Sequence, residues 1–530
     1  MLKTIRPIFI LLLLSAFLYF FMLGNFSLYN AAETTYGEFI KQIRLTGDWL
    51  TMHYNGQIIF DKPPLYFWLA AITTYIIGFN EFAIRFWAAF CGVLTVITTY
   101  FLGKKFYNER VGFLSGIIVM TAFQFLIQSR IAELDIVLTL CITLALLCFY
   151  IGYTEGKTKY YWGFYVATAF ATLIKGIIGL ALPGFAIFLF LLIKKDLPRL
   201  KEMKILPGLL IYLIISAPWY IAEGVLHGSM FTEFVVGFLF LSRFQSVVSG
   251  HPGPWYYYFL ALILGFAPWS HFLPYAFIRT WRQGRRSFTN DLRLTTYDQK
   301  LLMLCFIIPI FIIFSLAKTK LPNYVLPLYP FLAIMVAKLW DDFWGEEKNR
   351  LWKGMAVANG LLAVVVILII IGFILLGTNQ YAGPYREQLW QLQLLAGILV
   401  AGSSISILAF FCRQYKVSFY ALPAMVFIIT FVLTTLTLPT VEKYKGEKEL
   451  GQLIGQNLKP GQKIAAYDTG NRPGIVFYNS QPIIFLQNHN QLITFLHQQK
   501  GFCITSPAEY EKVKKLTRLL GQRGKLVVVY

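Results

Sequence analysis

Apolar runs of about eighteen residues or more recur along most of this chain, and that recurrence constrains its fold more than any other feature. Wound as a helix, each run is long enough to cross a hydrocarbon core about 30 Å thick. The charge content agrees. Only 14% of the 530 residues are charged and 57% are hydrophobic, against about 25% charged in soluble domains. The first run goes from Ile8 to about Leu23, behind Lys3 and Arg6, as in a signal peptide. No small-x-small cleavage site closes it and more runs follow, so it reads as an uncleaved anchor.

The apolar runs place spans near 7–25, 84–103, 111–128, 132–152, 160–173, 176–193, 205–222, 255–278, 301–316, 324–340, 354–376, 392–412 and 417–438. The expected fold is therefore an all-α polytopic membrane protein with about thirteen transmembrane helices. Basic residues test that topology. With the N-terminus cytoplasmic, the inner loops hold twenty-four lysines and arginines, among them Lys104, Lys105, Lys194, Lys195, Arg279, Arg282, Arg413 and Lys416. The opposite loops hold nine: Lys41, Arg44, Lys62, Arg130, Lys175, Arg243, Lys318, Lys320 and Arg386. That asymmetry follows the positive-inside rule and accounts for the net charge of +21 without a nucleic-acid partner. Six cysteines with no CxxC spacing, five of them in or beside apolar runs, indicate neither a disulfide framework nor a zinc site.

Two regions are not spans. Residues 26–83 form a long first outer loop, where Glu33–Leu45 has helical periodicity and Leu65–Gly78 is too short to cross; surface helices are expected there. From about Pro439 the tail alternates strand-like runs (Lys463–Tyr467, Ile483–Leu486, Phe502–Thr505, Leu526–Tyr530) with helical ones (Lys448–Leu458, Ala508–Leu520). The division is thus 1–438 for the membrane domain and 439–530 for a small extracytoplasmic α/β domain. The tail has no Gly-rich phosphate loop.

Ionisable residues at membrane depth or its edge are costly and point to function. The topology collects Glu33, Asp48, Asp61, Lys62, Arg130, Glu133, Asp135, Lys175, Arg243, His251, Lys318 and Lys320 on the outer side. Cations can neutralise a departing phosphate, and carboxylates can take a proton from an attacking hydroxyl. The run Phe60-Asp61-Lys62-Pro63-Pro64-Leu65 is the most specific of these signals, an acid–base pair stiffened by two prolines. Trp49, Trp219, Trp255 and Tyr256–Tyr258 suit either sugar stacking or the lipid interface.

Several segments follow one another in order over about residues 1–340. They are Ala31–Tyr36 (AAETTY), Gly47-Asp48-Trp49, FDKPPL at Phe60–Leu65, Arg85, Arg130–Asp135, Leu173–Gly176 (LIKG) and Ala217–Tyr220 (APWY). Ser242-Arg243-Phe244, Gly250–Tyr258 and Ser315–Pro327 (SLAKTKLPNYVLP) continue the series. Together they resemble the bacterial branch of the GT-C membrane glycosyltransferases, which includes the lipid A aminoarabinose transferase and the protein O-mannosyltransferases. The resemblance implies transfer of a sugar from an isoprenyl phosphate carrier to a lipid, glycan or protein acceptor at the outer face of the cell membrane. It puts Glu33 and Asp135 forward as acceptor bases, and Asp61, Lys62, Arg85, Lys175, Arg243, Lys318, Lys320 and Tyr324 as donor-binding residues. It also implies a divalent metal ion near the donor phosphate, with Asp61 and His251 as ligands. One position departs from the pattern: the family's first loop acid, commonly Asp, is Ala32 here. The rival readings are a lipid or sugar transporter, disfavoured by the lack of a repeated hydropathy pattern, and a lipid-binding homologue without turnover.

Overall fold

The computed structural model describes residues 2–235, 252–284, 298–345, 347–377, 389–498 and 501–530. Helices dominate, and their ends are written in the sequence. Glu81–Phe106 starts where the Asn80 side chain accepts from Ala83 N, with Glu81 in its first turn and Lys104 and Lys105 in its last. Those charges complement the helix dipole at both ends. Asn108 caps Glu109–Thr121 in the same way.

Among the described residues, eight helices are long and apolar enough to cross a membrane. They are Glu81–Phe106, Asp135–Glu155, Ile205–His227, Asp298–Leu316, Pro322–Trp344, Lys348–Gly372, Trp390–Phe411 and Tyr415–Glu442. The other five expected spans fall on shorter or interrupted helices: Leu2–Phe20, Glu109–Thr121 with Phe123–Gln128, Lys159–Lys175, Ile178–Ile193, and Tyr257–Gly265 with Leu273–Gly284. The interruptions have local causes. Ala122 turns extended between its two helices, and the segment after Gly265 contains Pro268. Helix Glu81–Phe106 lies centrally, packed on Leu2–Phe20, Glu109–Thr121 and Asp135–Glu155; the last of these packs on Lys159–Lys175.

The first loop forms helix Ala31–Thr46, a two-residue hairpin (β1 His53–Tyr54, β2 Gln57–Ile58) and the apolar helix Leu65–Ile77. Asn30 caps Ala31–Thr46 by accepting from Glu33 N, and Gly47 ends it at φ +73°, a left-handed C-cap.

The tail holds a five-stranded mixed sheet in the order Ile483–Phe485, Lys463–Tyr467, Gly501–Thr505, Leu526–Val529, Leu519–Arg523. Strand β3 (Lys463–Tyr467) runs parallel to β4 (Ile483–Phe485) and β5 (Gly501–Thr505), and β7 (Leu526–Val529) is antiparallel to β5 and to β6 (Leu519–Arg523). Side chains alternate as strands require. Ile464, Phe502 and Val528 enter one core, Ala465, Cys503 and Val527 the other. The helix expected over Ala508–Leu520 is shorter in the structure: it occupies Pro507–Val513, and Leu519–Arg523 is a strand. Gly524, at φ +54°, makes the turn that folds this strand back onto β7.

Candidate active site

Of the charged residues expected on one side of the membrane, Glu33, Glu133, Asp135 and Lys175 lie together at the start of helix Asp135–Glu155, and they divide into closed and open groups. Glu33 and Arg85 are closed upon each other. Glu33 Oε1 accepts from Arg85 Nε at 2.7 Å and from Ala132 N at 2.8 Å. Its Oε2 accepts from Arg85 Nη2 at 2.9 Å and from Tyr29 N. The remaining Arg85 protons go to the carbonyls of Leu23, Phe26 and Ser27, so all five N–H donors are engaged. Burial would raise the Glu33 carboxyl, but Arg85 and the backbone donors of Ala132 and Tyr29 together hold it below its ordinary value. With no oxygen open, Glu33 is poorly placed to receive an acceptor's proton, and Arg85 has no donor left for a phosphate. This pair instead ties the loop ahead of Ala31 to the mouth of Asp135–Glu155.

The open group begins one turn away. Helix Asp135–Glu155 starts at Asp135, which leaves Glu133 in the preceding loop. Asp135 Oδ1 accepts from Lys175 Nζ, and its Oδ2 from Asn323 Nδ2 at 2.6 Å. Lys175 is the last residue of its helix, where a cation suits the dipole, and its ammonium lies 4.8 Å from the centre of the Tyr324 ring. Glu133 Oε1 accepts from Asn30 Nδ2 at 2.7 Å and its Oε2 from Asn323 Nδ2 at 3.3 Å. Burial first, then the charge of Asp135, push the Glu133 carboxyl above the usual carboxylate range. Burial and the carboxylates of Asp61, Glu133 and Asp135 also hold the Tyr36 phenol well above its ordinary value. Three acids and two tyrosines, Tyr36 and Tyr324, therefore share one small region.

At its edge stands the pair from the proline-braced turn, with Lys62 Nζ 2.7 Å from Asp61 Oδ2. Lys320 is turned elsewhere. Its ammonium donates to the carbonyls of Phe314, Ser315 and Ala317, closing the end of helix Asp298–Leu316; this is a helix C-cap rather than a phosphate ligand. Lys318 is exposed beside it. Arg130, with its Nη2 2.8 Å from Phe21 O and its Nη1 on Leu18 O, caps the end of the first helix in the same manner.

Comparison with known proteins gives this geometry a context. The family model for dolichyl-phosphate-mannose-protein mannosyltransferase matches residues 61–221. A protein of Aquifex aeolicus is 28% identical over 470 residues, 88% of this chain and 85% of its own length. The undecaprenyl phosphate-alpha-4-amino-4-deoxy-L-arabinose arabinosyl transferase of Photorhabdus laumondii is 26% identical over 439 residues, 81% of this chain and 76% of its own. In fold, the chain superposes on ArnT from Cupriavidus metallidurans bound to undecaprenyl phosphate with a TM-score of 0.78 at 19% identity, covering 98% of this chain and 97% of that one. The archaeal oligosaccharyltransferase AglB of Archaeoglobus fulgidus follows at 0.53, covering 97% and 70%. The chain therefore has the fold of ArnT, and its residues 61–221 match the mannosyltransferase family model.

The donor set at Asp61 bears on the metal that the sequence resemblance implies. Arg243 and His251 lie outside the described residues. Asp61 Oδ2 accepts from Lys62 Nζ, and among the described residues no three His, Cys, Asp or Glu side chains converge as metal ligands. No step below is routed through a metal. Sequence reasoning passed over Asn30 and Asn323, the amides that hold the acids. Asn30 carried a signal as a helix N-cap before Ala31–Thr46; Asn323 carried none beyond its place in Ser315–Pro327.

Proposed function

We propose that the protein transfers a sugar from a polyprenyl phosphate carrier to a hydroxyl of an envelope acceptor, at the outer face of the membrane. The observation that carries this reading is the group Glu133–Asp135–Lys175–Asn323 beside Asp61–Lys62, an acid–cation site at one end of an apolar bundle. The carrier reaches such a site from within the lipid, and Lys62 and Lys175 take charge off its phosphate as the sugar leaves. Lys318 and Tyr324 line the approach, with Arg243 as a further phosphate partner. The N-terminus is then cytoplasmic, residues 26–83 and 439–530 face outward, and the membrane domain ends near residue 438. Relatives named as arabinosyl transferases make 4-amino-4-deoxy-L-arabinose the first sugar to test, and the sequence resemblance makes a lipid A-like glycolipid the first acceptor.

Lipid mass spectrometry on cells with and without the protein, run beside sugar analysis of the envelope, tests the reading. Loss of the protein should make one polyprenyl phosphate sugar accumulate while one envelope sugar disappears. Unchanged carrier lipids and envelope sugars would sink it.

A further inference from the structure

A transfer of this kind needs a carboxylate that can receive the acceptor's proton, and the positions first expected to supply one are spent. Ala32 has no acid. Glu33 has both oxygens filled by Arg85 and two backbone amides. Asp135 is held by the Lys175 ammonium on one oxygen and the Asn323 amide on the other, so an ion pair must open before it can receive a proton.

Glu133, whose two oxygens also accept hydrogen bonds, differs in the kind of partner it has. It lies in a loop outside the helical span, and no cation is hydrogen-bonded to it among the described residues; its partners are the neutral amides of Asn30 and Asn323. Those amides come from the start of the Ala31–Thr46 helix and from the Pro322–Leu328 turn, so two separate elements aim one carboxylate. The charges of Asp135 and Glu33 add to burial in raising its proton affinity, and hydrogen bonds from Asn30 and Gln128 oppose them. A base whose proton affinity lies nearer the working pH takes a proton more readily.

We propose that Glu133 is the general base for the acceptor hydroxyl, standing in for the acid absent at Ala32. The acceptor oxygen bonds to the anomeric carbon while the bond from that carbon to the phosphate oxygen breaks. The electron pair leaves on the phosphate, and the hydroxyl proton moves to a Glu133 oxygen. Asn30 and Asn323 are positioning residues, and Asp135 sets the phosphate-binding angle of Lys175. This inference rests on the transferase reading above.

The experiment restores wild type, Glu133→Gln or Glu133→Asp to cells lacking the protein, reading the envelope sugar and carrier lipid by mass spectrometry. Membrane vesicles from the same cells give the transfer rate against pH. Glutamine fills the same space and its oxygen can still accept from one of the asparagine amides; undecaprenyl phosphate binding by the purified full chain checks that the fold is kept. Glu133→Gln should bind undecaprenyl phosphate as wild type does, transfer about 10²–10⁴-fold more slowly and lose the acid limb of the pH profile. Glu133→Asp should recover part of the rate. A Glu133→Gln variant with wild-type rate and an intact acid limb overturns the assignment while leaving the transferase reading standing. A wild-type protein that restores no sugar overturns both.

Discussion

At the scale of single residues, the Glu33–Arg85 pair shows how a charged motif can belong to architecture. Both side chains are buried, at 0% and 3% exposure, and breaking a pair so enclosed leaves a charge with neither water nor partner. Arg85→Met should destabilise the protein by about 3–5 kcal/mol. Glu33→Gln should cost less, because its amide oxygen still accepts from the surrounding N–H groups. Replacing both, Glu33→Leu with Arg85→Met, should recover part of the loss by removing the unpaired charge. Thermal unfolding of the purified variants in detergent reads all three. Additive losses in the double variant would mean that the two residues act separately and that the pair is not the tie described.

At the scale of elements, the end of helix Lys159–Lys175 decides where Lys175 points. Gly176 has φ +78° and ψ −165°, a region open to glycine almost alone. Gly176→Ala should cost about 1–3 kcal/mol and swing Lys175 from Asp135, weakening undecaprenyl phosphate binding in a direct binding assay. Gly184→Ala is the control, since a Cβ there meets nothing within 4 Å; equal losses in the two variants would refute a specific role for the turn. The sequence marked Lys175 and Asp135 as separate candidates because each is an ionisable residue beside an apolar run. Their pairing was not legible, since 40 residues separate them and no local pattern encodes such a contact. The helices were legible for the opposite reason: an apolar run and an Asn cap act within a few residues. Lys320 illustrates the limit between the two. Its charge suggested a phosphate, and only the course of the chain back toward Phe314 shows the carbonyls it closes.

At the scale of the whole molecule, the tail is built into the site it lies beside. Lys41, on the helix that Asn30 caps, donates to the carbonyls of Val476, Phe477 and Asn479 at 2.8–3.2 Å. Tyr478 accepts from Leu28 N at 2.7 Å and meets Glu81, and Lys445 reaches Ser27 Oγ and Leu28 O. A Cβ at Gly37 would lie 2.6 Å from Leu28 Cδ1 and 2.9 Å from Phe477 Cε2, so segment, helix and tail meet with no room for a side chain. These contacts bracket residues 27–30, the stretch that delivers Asn30 to Glu133. Lys41→Met keeps the apolar stem but leaves three carbonyls without their donor. Combined with Tyr478→Phe, it should loosen the tail while leaving the apolar bundle in the membrane. Transfer should then fall about tenfold or more, as expected when a positioning contact moves by about an ångström, and proteolysis should cut the tail faster at unchanged membrane yield. Glu133→Gln added to that pair should lower transfer by less than it does alone, because residues acting through one another do not lose activity additively. Full multiplicative losses would show instead that the tail supports the enzyme by some route other than Asn30 and Glu133.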